Sequence, residues 1–125
     1  MDSAEIRGII QTYFDASYES SGEKMAMVFH GAAHVYGLGE NGVLADMDKD
    51  SFVKLVGTPR PGAPASGYPR QDEIISIDFT GDNTAVARVR LRVATTLFTD
   101  MLCFMRIDGK WGVISKVFSG VPAEG

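Results

Sequence analysis

The stretch LFTDMLCFMRIDGKWGVISKVFS, residues 97–119, decides the fold. Apolar side chains recur on both sides of Asp108-Gly109, and this dipeptide is typical of a two-residue hairpin turn of the primed type. The stretch therefore predicts two antiparallel strands, 97–107 and 110–119, with Ile107 opposite Lys110. Because side chains alternate along a strand, this register also predicts which of them share a face of the sheet.

Two further strands are predicted before this hairpin, at residues 71–80 and 84–93. A two-residue turn at 95–96 would place Leu91 beside Asp100. A three-residue loop at 81–83 is preferred, because it places apolar side chains beside apolar side chains. A two-residue turn at 81–82 would move every side chain of residues 71–80 to the opposite face of the sheet. The preferred register gives an inner face of Ile75, Ile77, Phe79, Val89, Leu91, Asp100, Leu102, Phe104, Trp111, Val113, Ser115 and Val117. The outer face is mixed and carries Ile74, Ser76, Asp78, Val86, Arg88, Arg90, Arg92, Met101, Cys103, Met105, Ile114, Lys116 and Phe118.

The first half of the chain has helical periodicity. An apolar stripe from Ile6 to Tyr18 predicts a first helix capped by Asp2, and a second, shorter helix ends at Gly31. A strand at 32–38, an Asn-Gly turn and a return strand at 43–46 follow. Asp48 is predicted to cap a third helix that Gly57 closes. The fold class is α+β: one domain over residues 1–125, with three helices packed on a curved, mostly antiparallel sheet.

Residues 58–70 hold four of the five prolines and show no periodicity. This segment is interpreted as a loop. A loop of this length in a small domain is often a lid or a binding loop, but a stiff surface connector would have the same composition.

Composition narrows the classes of partner. The 125 residues are 45% hydrophobic and 22% charged, with a net charge of −4. An acidic balance disfavours nucleic acid, and no apolar stretch has the roughly 20 residues that span a bilayer. The single cysteine, Cys103, allows no intrachain disulfide, and we expect neither a metal site nor a cofactor. The first residues resemble a helix start and not a signal peptide, so a cytoplasmic location is expected.

Four segments carry a resemblance to a known family: Val28–Ala33, Ile77–Gly81, Phe98–Leu102, and Ile107–Trp111 continuing to Phe118. With the order of elements, they resemble the SnoaL-like members of the nuclear transport factor 2-like superfamily, in the branch labelled "putative lumazine-binding". The resemblance implies a cone-shaped cavity between sheet and helices, and usually a homodimer. It implies no single function, because ketosteroid isomerases, scytalone dehydratases, polyketide cyclases and non-catalytic binding domains share this fold.

Asp100 is the main candidate for chemistry, since it is the carboxylate predicted on the apolar face. Burial would suit a general acid or base, but the alternative is a structural aspartate hydrogen-bonded to a backbone N–H or to a helix hydroxyl such as Tyr13. His34 could pair with Asp100 if it faced inward; otherwise it lies at the surface or at a dimer rim. His30 is expected at a helix C-terminus, where a cation is favourable.

We therefore expect a small-molecule-binding domain with an apolar cavity and an unidentified ligand. The alternative is a cofactor-independent isomerase, dehydratase or cyclase that uses Asp100 as general acid/base, with His34 as the second catalytic candidate. A weaker reading is a protein-interaction module. The predicted pocket consists of Tyr13, Phe14, Leu91, Leu102, Phe104, Trp111, Ser115 and Val117. The apolar groups on the outer face predict a homodimer through that face.

Overall fold

Three helices pack on one face of a six-stranded sheet in the computed structural model, which describes residues 3–39, 41–58 and 68–123. The elements in chain order are α1 (Ser3–Glu19), α2 (Gly22–Val28), β1 (Phe29–Leu38), β2 (Leu44–Asp48), α3 (Lys49–Gly57), β3 (Asp72–Thr80), β4 (Thr84–Val93), β5 (Thr96–Ile107) and β6 (Lys110–Pro122). The sheet order is β2-β1-β6-β5-β4-β3, antiparallel except for the parallel pair β1–β6. The predicted α+β fold with a curved, mostly antiparallel sheet is confirmed.

The predicted turns set most of the sheet register. Ile107 pairs with Lys110, and both turn residues, Asp108 and Gly109, have the positive φ angles that a primed turn needs. The three-residue loop at 81–83 is also confirmed, because Thr80 pairs with Thr84. The β4–β5 turn lies at residues 94–95, one position earlier than predicted. This shifts the pairing by two residues, so each side chain keeps its predicted face while Asp100 lies opposite Val89 instead of Leu91.

A β-bulge in β6 overturns the predicted facing of the last strand. Phe104 pairs with Val113 as expected, but Cys103 pairs with Ser115, so Ile114 is the extra residue. An extra residue moves every later side chain to the opposite face. The prediction that Ser115 and Val117 face inward was therefore wrong, and so was the outward prediction for Lys116 and Phe118.

A second bulge lies in β3, between Ile74 and Ser76. Ile75 is its extra residue and is 37% exposed, whereas Ile74 packs against the core. The predicted facing of these two isoleucines was thus reversed. Ile77 and Phe79, which lie beyond the bulge towards the loop at 81–83, face the core as predicted.

The core joins the apolar stripe of α1 to the inner face of the sheet. Its fully buried side chains include Ile6, Ile10, Tyr13, Met25, Val35, Val89, Leu91, Leu102, Phe104 and Val113. The apolar stripe predicted from the helical spacing of α1 is confirmed at Ile6, Ile10 and Tyr13. None of the helices in the described ranges is long and apolar enough to cross a membrane.

Element boundaries in the first half differ from those predicted. Helix α2 ends at Val28 and β1 begins at once with Phe29, so His30 lies in a strand and not at a helix terminus. The capping role of Asp48 is confirmed, since its side chain accepts a hydrogen bond from the Ser51 amide at 2.8 Å. Strand β6 continues to Pro122, beyond the predicted end at residue 119. The predicted Asp2 cap and residues 59–67 of the proline-rich loop lie outside the described residues.

Candidate functional site

A cavity of about 140 Å³ lies between the inner face of the sheet and helices α1 and α3. Most of its wall is apolar, because α3 contributes one side of an amphipathic helix and the sheet contributes inward-facing positions. The lining residues are Tyr13, Ser17, Ser20, Met47, Phe52, Leu55, Val56, Leu91, Val93, Phe98, Asp100, Lys116 and Phe118. Two of these, Asp100 and Lys116, carry a titratable charge, and both are buried.

Asp100 and Tyr13 form the first polar contact of the cavity wall. The Tyr13 hydroxyl donates to Asp100 Oδ2 at 2.5 Å, and the Asp100 side chain is 0% exposed. Asp100 Oδ1 is buried and has no hydrogen-bond partner among the residues that the structure describes. Burial raises the pKa of Tyr13 well above its ordinary value, and the charge of Asp100 and the hydrogen bond to it add to the shift. The phenol is therefore held in its protonated form as a donor.

Lys116 is the second charged group in the cavity wall, and the β6 bulge turns it inward. Its side chain is 9% exposed, and its Nζ lies 3.9 Å from Asp100 Oδ2, which is longer than a hydrogen bond. The same Nζ lies over the rings of Phe52 at 4.4 Å and Tyr13 at 5.1 Å. Burial lowers the pKa of Lys116, and the nearby charge of Asp100 opposes that shift. The arrangement is a buried amine in an aromatic cage with one carboxyl beside it.

Phe118 forms one side of this cage, and a glycine makes room for it. A Cβ atom at Gly37 in β1 would collide with the Phe118 ring. The ring also packs edge-on against Phe98, with centroids 5.9 Å apart, and lies 5.6 Å from Lys116 Nζ. The absence of a side chain at position 37 thus lets Phe118 close the wall beside the amine.

The structure brings only part of the predicted site together. Tyr13, Leu91 and Asp100 line the cavity, whereas Phe14, Leu102, Phe104 and Trp111 are buried in the core without lining it. Ser115 and Val117 lie on the outer face, as the β6 bulge requires. Of the two bonds considered for a structural Asp100, to a backbone N–H or to a helix hydroxyl such as Tyr13, the one to Tyr13 is formed.

Neither histidine reaches Asp100. His34 Nδ1 lies 2.7 Å from Asp46 Oδ1, and its ring stacks on Tyr36, so the conceivable His34–Asp100 pair is not formed. His34 neighbours Val35, which faces the core, and therefore points to the outer face. His30 Nδ1 accepts a hydrogen bond from the Ala32 amide at 3.0 Å.

Lys116 is the site residue that the sequence interpretation missed. A signal existed, because Val113 and Phe118 are both large apolar residues five positions apart, and strict alternation puts them on opposite faces. Burial of both requires one extra residue between them, which is a bulge. Nothing in the sequence located that bulge at Ile114, so the side of Lys116 could not be settled.

No group of three or more His, Cys, Asp or Glu side chains within residues 3–39, 41–58 and 68–123 is placed to hold a metal ion. Cys103 pairs across the sheet with Ser115, on the face opposite the cavity. The chemistry available at the cavity wall is therefore that of a phenol, a carboxyl and an amine.

This fold and its cavity define a member of the nuclear transport factor 2-like superfamily. The sequence profile of the family described as "Putative lumazine-binding" matches residues 1–119, and the chain belongs to that family. A curated relative, the aldolase FrzH of a Cladobotryum species, is 26% identical over 125 residues, covering 96% of this chain and 94% of the relative.

Solved structures agree with the fold. A nuclear transport factor 2-like protein of unknown function from Shewanella baltica superposes with a TM-score of 0.83 at 21% identity, covering 95% of this chain and 93% of that one. Another, from Methylobacillus flagellatus, gives a TM-score of 0.76 at 27% identity, with 97% and 95% covered. Both are similar to this chain along nearly its whole length.

Proposed function

We propose that this domain binds a small, mostly apolar molecule bearing one oxygen atom in the cavity between the sheet, α1 and α3. The proposal rests on the Tyr13–Asp100–Lys116 cluster, which holds the charged side chains among the described residues of an otherwise largely apolar wall. Ligand sites typically combine an apolar lining with a few polar groups that fix orientation. A ligand oxygen would accept a hydrogen bond from the Lys116 amine, because Asp100 Oδ2 is 3.9 Å from its Nζ and thus beyond hydrogen-bond distance.

The size of the cavity limits the ligand. Its volume is about 140 Å³. An engineered apolar cavity of roughly 150 Å³ in another protein holds one benzene molecule. The space therefore suits a single six-membered ring or a short branched chain. Cyclohexanone and toluene are matched probes of similar shape, because only cyclohexanone carries an oxygen acceptor.

Methyl NMR titration tests the proposal. Cyclohexanone should shift the methyl signals of Leu91, Val56 and Met47 more than those of Val113, which packs in the core away from the cavity. Val56→Phe fills the cavity and should abolish these shifts, whereas Val43→Phe adds the same bulk at an exposed position outside the cavity and should preserve them. Shifts that spread evenly over core methyls, or that survive Val56→Phe in a folded variant, would contradict the proposal.

A second candidate function is proton transfer next to a carbonyl group, with Asp100 as general acid/base. The Tyr13–Asp100–Lys116 cluster favours it, because a carboxyl beside an apolar pocket can move a proton while the Lys116 amine stabilises an enolate oxygen. The named activity of the fungal relative, an aldolase, belongs to the same broad chemistry of carbonyl compounds.

Hydrogen–deuterium exchange of cyclohexanone in D₂O tests this second function. The protein should accelerate exchange at the carbons next to the carbonyl, and Asp100→Asn should remove the acceleration while the domain stays folded. Asp46→Asn, on the outer face, is the matched control and should leave the exchange rate unchanged. An Asp100→Asn variant as active as the parent would refute the role of Asp100.

We also propose that a second copy of the chain covers the outer face of the sheet. This face exposes Val86, Met101, Met105, Val117 and Val121 at 36–54% each. Arginine and carboxylate side chains share the face, as in the Arg90–Glu73 ion pair, so it offers both charges to an identical partner. Met101→Lys should shift sedimentation from dimer to monomer, whereas Met27→Lys on α2 should not. A parent protein that sediments as a monomer at micromolar concentration would refute the dimer.

A further inference from the structure

We propose that Lys116 forms an imine with an aldehyde or ketone held in the cavity. The inference rests on the proposed function and adds the substrate class: a small carbonyl compound. Three geometric facts carry it. The amine lines the cavity, the nearest carboxylate oxygen among the described residues is 3.9 Å away, and rings of Phe52 and Phe118 lie beside it.

Hydrogen bonding leaves the Lys116 amine available for reaction. A buried lysine usually has its ammonium hydrogen-bonded to acceptors, because an isolated buried charge is costly. Within the part of the chain that the structure describes, Lys116 Nζ has no acceptor within hydrogen-bond distance, and the Tyr13 hydroxyl already bonds Asp100 Oδ2. The nitrogen thus lies beside the carboxyl and feels its charge without being hydrogen-bonded to it.

The protonation state of Lys116 also matters, because only the neutral amine is a nucleophile. The environment favours that form, since burial lowers the pKa of Lys116. Asp100 from β5 opposes the shift, and Tyr13 from α1 faces the amine as a neutral phenol. The other lining side chains from α3, β2 and β4 carry no charge: Phe52, Leu55, Val56, Met47, Leu91 and Val93. Exposed lysines such as Lys110 lack this burial.

The reaction itself forms a C–N bond between Lys116 and the carbonyl compound. The Lys116 lone pair attacks the carbonyl carbon, a C–N bond forms, and the C=O π pair moves to oxygen, which takes up a proton. The nitrogen gives up one proton to restore charge balance, with Asp100 as the nearest group to relay it. The carbinolamine then loses its hydroxyl together with the remaining N–H proton as water. Overall, one amine and one carbonyl give one imine and one water, with no oxidant or reductant.

The test is reductive trapping with cyclohexanone and sodium cyanoborohydride at neutral pH, followed by peptide mass spectrometry. The cavity would hold the ketone beside the Lys116 amine, which raises its effective concentration there above that at an exposed amine. The peptide containing Lys116 should therefore carry the cyclohexyl group at least about tenfold faster than the peptide containing Lys110. Cyclohexanol, which has the same shape but no carbonyl, should slow labelling by competing for the cavity. Labelling of Lys116 no faster than the exposed lysines would overturn the proposal.

Two controls separate this inference from the proposed function. If cyclohexanone shifts the cavity methyls but Lys116 is never trapped, the imine is wrong and the binding function stands. If the methyls do not shift, the binding function itself fails. Val56→Phe should block labelling of Lys116 and leave labelling of Lys110 unchanged. Should that variant fail to fold, the cyclohexanol competition with the unaltered protein gives the same decision, because labelling that ignores cyclohexanol contradicts a cavity-bound imine.

Discussion

Two acid–base pairs lie on opposite faces of the same sheet, and they differ in an instructive way. On the outer face, His34 and Asp46 are 2.7 Å apart with side chains 44% and 49% exposed. On the inner face, Lys116 and Asp100 are 3.9 Å apart and almost fully buried. The closer pair is the weaker chemical candidate, because water screens exposed charges, while a buried pair keeps strong coupling at longer range. Burial and not proximity makes the inner pair the candidate for a functional site.

The largest expected effect comes from breaking the inner pair. Asp100→Leu removes the acceptor of Tyr13 and the charge beside Lys116 while keeping the branched shape of the side chain. Loss of one member of a buried charged cluster typically costs about 3–5 kcal/mol. Urea unfolding should show a loss of that order. The triple variant with Lys116→Met and Tyr13→Phe removes every polar member and should recover most of the stability. An Asp100→Leu variant as stable as the parent would show that the cluster is not coupled.

A smaller effect is expected where the fold makes room for Phe118. Gly37→Ala places a methyl group against the Phe118 ring, which must move, and overpacking of this kind costs about 1–3 kcal/mol. The displaced ring should also weaken cyclohexanone binding. Gly112→Ala is the matched control in a strand, because its nearest atoms would be 3.6 Å away. Equal melting temperatures for the two alanine variants would contradict the role of Gly37.

Stability should rise with pH because of Lys116. Its folded-state pKa is lowered from 10.5, so between that lowered value and 10.5 the unfolded chain binds more protons than the native one. The free energy of unfolding therefore increases as pH rises through this window, and this contribution of Lys116 is lost as pH falls. Tyr13 acts oppositely, because its raised pKa makes stability fall above 10.0. Urea unfolding below that pH should show a positive slope in the parent that Lys116→Met flattens. A steeper slope in the variant would contradict the assignment.

The smallest effect is expected at the outer pair. Asp46→Asn removes the carboxylate next to His34, and exposed ion pairs contribute about 0–1 kcal/mol. Added salt should shrink even that difference. Thermal melts at low and high ionic strength measure both effects. A loss as large as that of Asp100→Leu would reverse the comparison between the two faces.

The sequence predicted the elements and turns well because local chemistry determines them. The Asp108-Gly109 turn, the stripe of α1 and the Asp48 cap each depend on a few neighbouring residues. These predicted both the fold and the inward position of Asp100. The Asp100–Tyr13 contact followed because both residues were assigned to apolar faces that meet.

The side-chain facings that were predicted wrongly depended on two bulge residues, one in β3 and one in β6. Ile75 and Ile114 are bulge positions, and each reverses the facing of a segment without any turn-forming residue to mark it. A bulge is stabilised by packing between distant strands, which alternation alone does not report. The missed bulge at Ile114 hid Lys116 and put Ser115 and Val117 into the predicted pocket. The face of His34 was left open between an inward position and the surface for a related reason, because it depends on pairing with β6.

The most direct test of the central claim is the affinity of cyclohexanone and toluene for the parent protein and for Lys116→Met, measured by methyl NMR titration. If the Tyr13–Asp100–Lys116 cluster recognises a ligand oxygen, the variant should lose about tenfold in cyclohexanone affinity, because a hydrogen bond to the amine is worth about 1.5 kcal/mol. Toluene affinity should be unchanged. Equal changes for both ligands, or no change for either, would contradict the account and leave the cluster a structural feature of the cavity wall.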